Sequence, residues 1–435
     1  MSNTPIFSSP NAGLVGANSR RGFIGNCVAL AGLPILASLP VNAFAAGTDE
    51  QLKVGLIGCG GRGRDAANDC RKAHPSVKIW ALGDVFADVT ERARKTLSKN
   101  ERTNVPQERC FSGFDAFEKV IASGVDLVIL ATPPHFRPLH MEAAIKAGVH
   151  VFAEKPVAVD PAGCRKVIAV SELAEQKKLS IVAGTQRRHD KTYIETLKRI
   201  KEGAIGELVG GQAYWVGGTT DSFWPHHKRR SEWTEMEYQL RNWYAFTWLC
   251  GDHIVEQHVH NLDILNWAFG GPPVKAFGVG GRQNRTWGNI WDHFAVEFEY
   301  ANGARISSYC RQTDNTSGRI NERILGTLGS ARPDRGIITG KNEWKYPGNR
   351  TNAYVQEHAD LIESIRNRTP LNEGRALAEA TLTGILGRFS AYTGKEVSYK
   401  WALEASKLDL TPSAYDFNAA PPPADIAIPG TTKLV

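Results

Sequence analysis

The sequence predicts an α/β N-terminal domain, a doubly wound parallel sheet, followed by an α+β domain with a mostly antiparallel open sheet. Three observations carry that expectation. Short apolar runs alternate with helix-compatible segments from Leu52 to Ala183, the pattern of parallel strands covered by helices. Gly58, Gly60 and Gly63 stand at G-x-G-x-x-G spacing between the first apolar run and the first helical segment. Beyond Gly184, apolar and polar residues alternate around Asn302-Gly303, a strong hairpin signal. A chain of 435 residues accommodates two or three such domains.

The order of elements begins with a leader. Ser19-Arg20-Arg21-Gly22-Phe23-Ile24 resembles a twin-arginine signal, Val28 to Leu39 is moderately apolar, and Ala43-Phe44-Ala45 offers small residues for cleavage. Residues 1–45 are therefore expected to direct export, with the mature protein periplasmic or otherwise exported. Gly32, Pro34 and Pro40 interrupt the apolar stretch, so stable membrane insertion is not expected.

Lys53 to Ile57 reads as the first strand and Arg64 to Ala73 as the helix after it. In the turn between them the first glycine permits the sharp bend, the second admits a pyrophosphate, and the third lets helix pack on strand. Gly61 and Arg62 complete this turn, and the helix N-terminus behind it favours an anion. Val77 to Leu82 is the second strand and ends at Gly83-Asp84, where an acid bonds the ribose hydroxyls of a dinucleotide. Asp84 repels a 2′-phosphate and Val85-Phe86 supplies no cation to receive one. The expected cofactor is therefore NAD.

Helical segments over Ala87–Lys99 and Phe114–Ser123 lead to Val125–Leu130, an unbroken apolar run of the kind found in central parallel strands. That run opens into Ala131-Thr132-Pro133-Pro134-His135. A helix over Leu139–Ala147 capped by Gly148, a strand over Val149–Ala153, Glu154-Lys155-Pro156, a helix from Pro161 to Lys177 and a strand over Ser180–Ala183 complete the domain. The dinucleotide-binding domain is thus expected over 46–183. A second domain, for substrate and oligomer contacts, is expected over 184–395. Its strands are expected at Glu207–Val216, Val274–Val279, Asp292–Arg311 and Arg323–Leu328, and its helices at Ala353–Arg368 and Glu373–Tyr392. The last helix is expected to return to the first domain. Residues 396–435 are rich in proline and alanine and read as an extended or disordered arm.

Composition excludes some classes. The net charge of +7 is spread out, and its densest run, His226 to Arg230, reads as a solvated loop, so no nucleic-acid partner is expected. Seven cysteines lack any C-x-x-C or Cys/His spacing, which argues against a metal site. After loss of Cys27 with the leader, six are expected as buried free thiols.

Two segments could do chemistry. Lys155 closes a buried strand, where an ammonium can hydrogen-bond a substrate hydroxyl and stabilise developing negative charge. The stretch from Cys250 to Asp263 reads as an apolar helix dense in titratable groups. Glu256, His260 and Asp263 recur at spacings of four and three and so share a face, with His253 near it. A histidine oriented by a carboxylate one turn away is a usable general base. A metal site and a purely structural polar network are the other readings of this stretch. Trp215, Trp224, Trp233, Trp243, Tyr244 and Trp248 crowd the chain before it and offer ring faces for sugar C–H groups.

The motifs GLIGCGGRG (55–63), ATPPHFRPLH (131–140), GVHVFAEKPVAVD (148–160) and EQHVHNLD (256–263) together resemble the glucose–fructose oxidoreductase / inositol dehydrogenase / MocA family over residues 52 to 395. The resemblance implies an oxidoreductase acting on a sugar or polyol hydroxyl. It implies Lys155 and His260 at the nicotinamide, and Glu256 or Asp263 orienting the imidazole; Glu256 stands where the family usually has Asp. It further implies cofactor contacts from Gly58, Gly60, Gly61, Arg62, Gly63, Asp84, Thr132, Pro133, His135, Glu154, Lys155 and Gln186. By the same resemblance Gln186-Arg187-Arg188 falls near the family's cofactor-and-substrate loop, which His189 is expected to help line. A carbohydrate substrate and a homo-oligomer, dimer or tetramer, through the C-terminal sheet are expected. The alternatives are NAD-dependent glycoside cleavage by transient oxidation and elimination, and a non-catalytic sugar or nucleotide sensor.

Overall fold

The structure, a computed structural model, describes residues 50–221 and 224–435. The leader expected over residues 1–45, with Cys27, lies outside the described residues.

Six strands form the first sheet: β1 (Leu52–Ile57), β2 (Val77–Asp84), β3 (Cys110–Ser112), β4 (Leu127–Leu130), β5 (His150–Ala153) and β6 (Ile181–Ala183). They pair in parallel in the order β3-β2-β1-β4-β5-β6. The order reverses between β1 and β4, and the crevice beyond the carboxyl ends of those strands is where such sheets take a dinucleotide. β4 and β5 are buried along their length except at the half-buried His150, so they read as apolar runs without alternation. β3 has no counterpart among the expected strands. Its three half-buried residues at the sheet edge are too few to show any periodicity.

The second sheet contains β7 (Leu208–Gly217), β8 (Lys275–Gly281), β9 (His293–Glu299), β10 (Arg305–Gln312), β11 (Arg319–Gly326), β12 (Gly329–Arg332), β13 (Ile337–Gly340), β14 (Trp344–Lys345) and β15 (Val397–Ser398). Their order is β14-β13-β12-β11-β7-β10-β9-β8-β15. Every neighbouring pair is antiparallel except β7 with β10. The expected hairpin joins β9 to β10, with Gly303 at φ +82° in its turn, a backbone state that glycine adopts without strain. Alternation sorts the faces. Phe294, Val296, Phe298, Ile306 and Cys310 are buried, while Phe277, Val279 and Tyr309 are exposed.

The helix Gly374–Thr393 is buried around nearly its whole circumference, as befits an element enclosed within the core. It packs on both β8 and the helix Pro161–Lys177. Its Arg388 donates to Gly251 O at 2.7 Å and Val159 O at 2.9 Å. The final segment from Leu408 forms no helix or strand, yet it is fastened along its length. Leu410 N donates to Asp160 Oδ2 at 2.8 Å, the Tyr415 hydroxyl meets His135 Nε2 at 3.0 Å, and Gly430 N donates to Thr393 O at 3.1 Å. Of the alternatives for this segment, the extended arm is the one observed. Cys59, Cys70, Cys164, Cys250 and Cys310 are buried free thiols and Cys110 is half-buried.

Candidate active site

The nucleotide turn fits a dinucleotide on steric grounds. Gly58 has φ +96°, and a Cβ there would lie 2.4 Å from Thr132 N. A Cβ on Gly63 would lie 1.9 Å from Gly58 O. Both positions therefore require glycine so that strand, turn and helix can approach. Nothing lies within 4 Å of a Cβ built on Gly60 or Gly61, which leaves the space a pyrophosphate needs ahead of the helix Gly61–Ala73. Asp84 closes β2 and accepts from Cys59 N at 2.8 Å and Phe86 N at 3.0 Å. It therefore braces the turn.

Arg62 turns back from the glycines. It donates to Glu154 at 2.5 Å and lies 3.4 Å from Glu357, with the Tyr354 ring 5.0 Å from its guanidinium. Gln186 Nε2 donates to the Tyr354 hydroxyl at 3.1 Å, while its Oε1 is buried without a partner. Thr132 Oγ1 and His140 Nδ1 are 3.4 Å apart. Pro133 follows, and the buried His135 ring packs edge-on against Trp248 and Tyr415. Burial pushes His135 down to about 4, so it is neutral. His189, expected beside the loop, is instead buried between Asp360 and Glu373.

Lys155 and Glu256 meet across the two sheets' territories. Lys155 Nζ donates to Glu256 O at 2.6 Å and to Glu256 Oε1 at 3.2 Å. That first bond explains a difference from the expected single helix. Glu256 O would accept the His260 N–H in a continuous helix, but accepts the lysine instead. The chain accordingly breaks into His253–Glu256 and Val259–Phe269. Gln257 Nε2 holds the other carboxylate oxygen of Glu256.

Neither nearby carboxylate orients His260, contrary to expectation. Glu256 is committed to Lys155. Asp263 grips Arg188 through contacts of 2.7, 2.9 and 3.0 Å, because at its turn of the helix the guanidinium is the nearer partner for a buried charge. His260 Nδ1 is buried without a partner, and the ring stacks on Trp215 with centroids 5.5 Å apart and 18° between planes. Burial and then the charges of Lys155, Arg187 and Arg62 hold the imidazole well below its usual range, so it is neutral. Behind Trp215, Arg187 pairs with the fully buried Glu322, to which Asn261 Nδ2 also donates at 2.5 Å.

Of the crowded aromatic residues, Trp215 stacks on His260. Trp224 stacks on Tyr244 with centroids 4.2 Å apart, Trp243 meets both edge-on, Trp248 is buried, and Trp233 faces Arg230 and Arg241. Sequence reasoning passed over Arg137, although it lies within the 131–140 motif. Its guanidinium is buried and donates from Nε to Thr132 O at 2.9 Å and from Nη1 to Glu154 O at 2.9 Å and to Pro156 O. No group of three or more His, Cys, Asp or Glu suited to a metal ion occurs among the described residues. No helix among them is long and apolar enough to cross a membrane.

Comparison with known proteins agrees with this fold. Residues 52–184 match the model of an oxidoreductase family with an NAD-binding Rossmann fold, and residues 193–332 match the GFO/IDH/MocA C-terminal domain. Inositol 2-dehydrogenase 4 of Saccharopolyspora erythraea is 31% identical over 159 residues, which is 37% of this chain and 44% of that protein's length. An inositol 2-dehydrogenase of Azotobacter vinelandii is 31% identical over 285 residues, covering 65% of this chain and 73% of that protein. Among solved structures, the WlbA dehydrogenase of Bordetella pertussis in complex with NADH and UDP-GlcNAcA superimposes with a TM-score of 0.63 at 18% identity. That superposition covers 80% of this chain and 99% of that one, a likeness of fold. The chain belongs to the GFO/IDH/MocA oxidoreductase family, with an NAD-binding Rossmann domain ahead of the family's C-terminal domain.

Proposed function

We propose that this protein oxidises a hydroxyl of a sugar or polyol, with Lys155 and His260 at the nicotinamide. NAD, when bound, accepts the hydride from the carbon that bears the hydroxyl. His260 takes the hydroxyl proton at Nε2, since its Nδ1 faces protein, and Lys155 stabilises the oxygen as it becomes an anion. Glu256 holds the Lys155 ammonium and Trp215 holds the imidazole ring. The observation that carries the reading is the neutral His260, its buried Nδ1 without a hydrogen-bond partner and its ring stacked on Trp215, within reach of the charge of Lys155. An uncharged base beside a fixed cation suits removal of a proton from an alcohol. The inositol dehydrogenases that this chain resembles favour a polyol or sugar as the substrate.

The test is turnover of a panel of inositols, sugars and aryl glycosides, with and without added NAD. NADH formed on a polyol or sugar supports the proposal. Aglycone release without net NADH would replace it with redox-neutral glycoside cleavage, and binding without turnover would replace it with a sensor.

Two further proposals complete the reading. The apolar Phe277, Val279 and Tyr309 on the outer face of the second sheet favour a homo-oligomer through that face, to be read from the solution mass of the wild type and of Phe277→Asp. The Arg20-Arg21 leader favours twin-arginine export, to be read from fractionation of cells making the wild type or an Arg20→Lys/Arg21→Lys variant.

A further inference from the structure

Lys155 can serve an alcohol only if its ammonium is delivered to one place. Its own side chain is long and flexible, so the burden falls on the turn that carries it. The carbonyls on either side of Lys155, those of Glu154 and Pro156, both accept from Nη1 of Arg137, and Arg137 Nε donates to Thr132 O in the loop after β4. One planar guanidinium thus joins the two loops that flank the expected nicotinamide position. It does so from a buried site, without reaching the cleft or a carboxylate.

We infer that Arg137 is the positioning residue for Lys155, the fork that sets where the ammonium meets substrate. The three carbonyls lie on two segments separated by more than twenty residues, and a guanidinium presents donors in a fixed plane that spans them. A lysine offers its donors from a single nitrogen and cannot hold both loops in the same geometry. Burial pushes the guanidinium down to about 10, with Glu154 and Glu256 opposing that shift, so the group stays charged at neutral pH. The other charge that reaches the turn, Arg62, grips the Glu154 side chain and leaves the backbone on both sides of Lys155 to Arg137.

The inference rests on the proposed role of Lys155, and a double-mutant cycle separates the two. R137K, K155M and the double variant are assayed for kcat, KM and NAD affinity, with myo-inositol as the first substrate probe and the best substrate of the panel thereafter. A displacement of about 1 Å at a reacting group lowers turnover by on the order of 100-fold. R137K should therefore lose about 10- to 100-fold in kcat, with KM and NAD affinity within about 3-fold of wild type. In the K155M background the same substitution should change residual turnover by less than about 2-fold, since no ammonium remains to misplace. A crystal structure of R137K should show Lys155 Nζ withdrawn from Glu256 O.

Normal turnover by K155M overturns the reading of Lys155 and the inference with it. An inactive K155M beside a normal R137K overturns the inference alone, as does an equal loss on adding R137K in both backgrounds. If R137K does not fold, R137Q, which keeps two donors on a planar head, is judged by the same criteria. Failure of both to fold overturns the inference by assigning Arg137 to the fold as a whole.

Discussion

Asp263→Asn discriminates between a carboxylate that serves the imidazole and one that serves the scaffold. In the structure Asp263 binds Arg188 through contacts of 2.7 to 3.0 Å, and its side chain is only 1% exposed against 18% for the arginine. Breaking a buried pair by removing one partner typically costs about 3–5 kcal/mol. Asparagine keeps one acceptor for the guanidinium and loses the charge, so a cost of about 2–3 kcal/mol is expected. Even a protein at the low end of ordinary stability, about 5 kcal/mol, would retain about 2 kcal/mol. That leaves roughly 97% of the molecules folded at 25 °C, from an unfolded-to-folded ratio near exp(−2/0.59). Turnover per enzyme should therefore fall by less than about 2-fold, while the midpoint of urea unfolding falls clearly at unchanged m-value. Loss of a carboxylate that aligned the general base would do the reverse, cutting kcat by on the order of 100-fold or more at nearly constant stability. That second pattern would refute the assignment of Asp263 to Arg188.

His260→Ala should lower kcat by about 10²–10⁴-fold without changing NAD affinity as read by fluorescence titration. The acid limb of wild-type kcat/KM should lie well below pH 6.5, because His260 is held below its usual range; a limb at or above pH 6.5 would argue against its role as base. His189 offers a pH-dependent contribution to stability. Burial lowers its pKa, but the hydrogen bond that it donates to Asp360 and the negative charge of Glu373 outweigh that and raise it to about 10. A group raised on folding stabilises fully below its unfolded value near 6.5, and that contribution drains away as pH rises toward 10. Urea unfolding at pH 7 and pH 10 should show a steeper loss for wild type than for His189→Gln, and parallel losses would refute it. Asp84→Asn should weaken NAD binding and, because Asp84 accepts from Cys59 N and Phe86 N, also lower the unfolding midpoint; an unchanged midpoint would show that the backbone bonds contribute nothing. Tyr415→Ala should free the arm from His135, Phe114 and Phe136, with faster proteolysis beyond Leu408 as the readout.

What the sequence determined by itself was local. The order of strands and helices, the glycine turn after β1, Asp84 closing β2 and the Asn302-Gly303 hairpin all follow from patterns within a few residues of one another, where periodicity and turn chemistry act. Lys155 was legible because it follows a buried strand, and His260 because it recurs with Glu256 and Asp263 at helical spacing. Their partners were decided only by the tertiary structure, because a carboxylate on a helix has several cations within reach and burial selects among them. Spacing alone placed Glu256 and Asp263 on the face of His260; the fold gave Glu256 to Lys155, 101 residues away, and Asp263 to Arg188, 75 residues away. The same long-range bond to Glu256 O broke a helix that its own sequence favoured. Arg137 was invisible for the same reason, since its three acceptors are backbone carbonyls, and a carbonyl has no letter in a sequence.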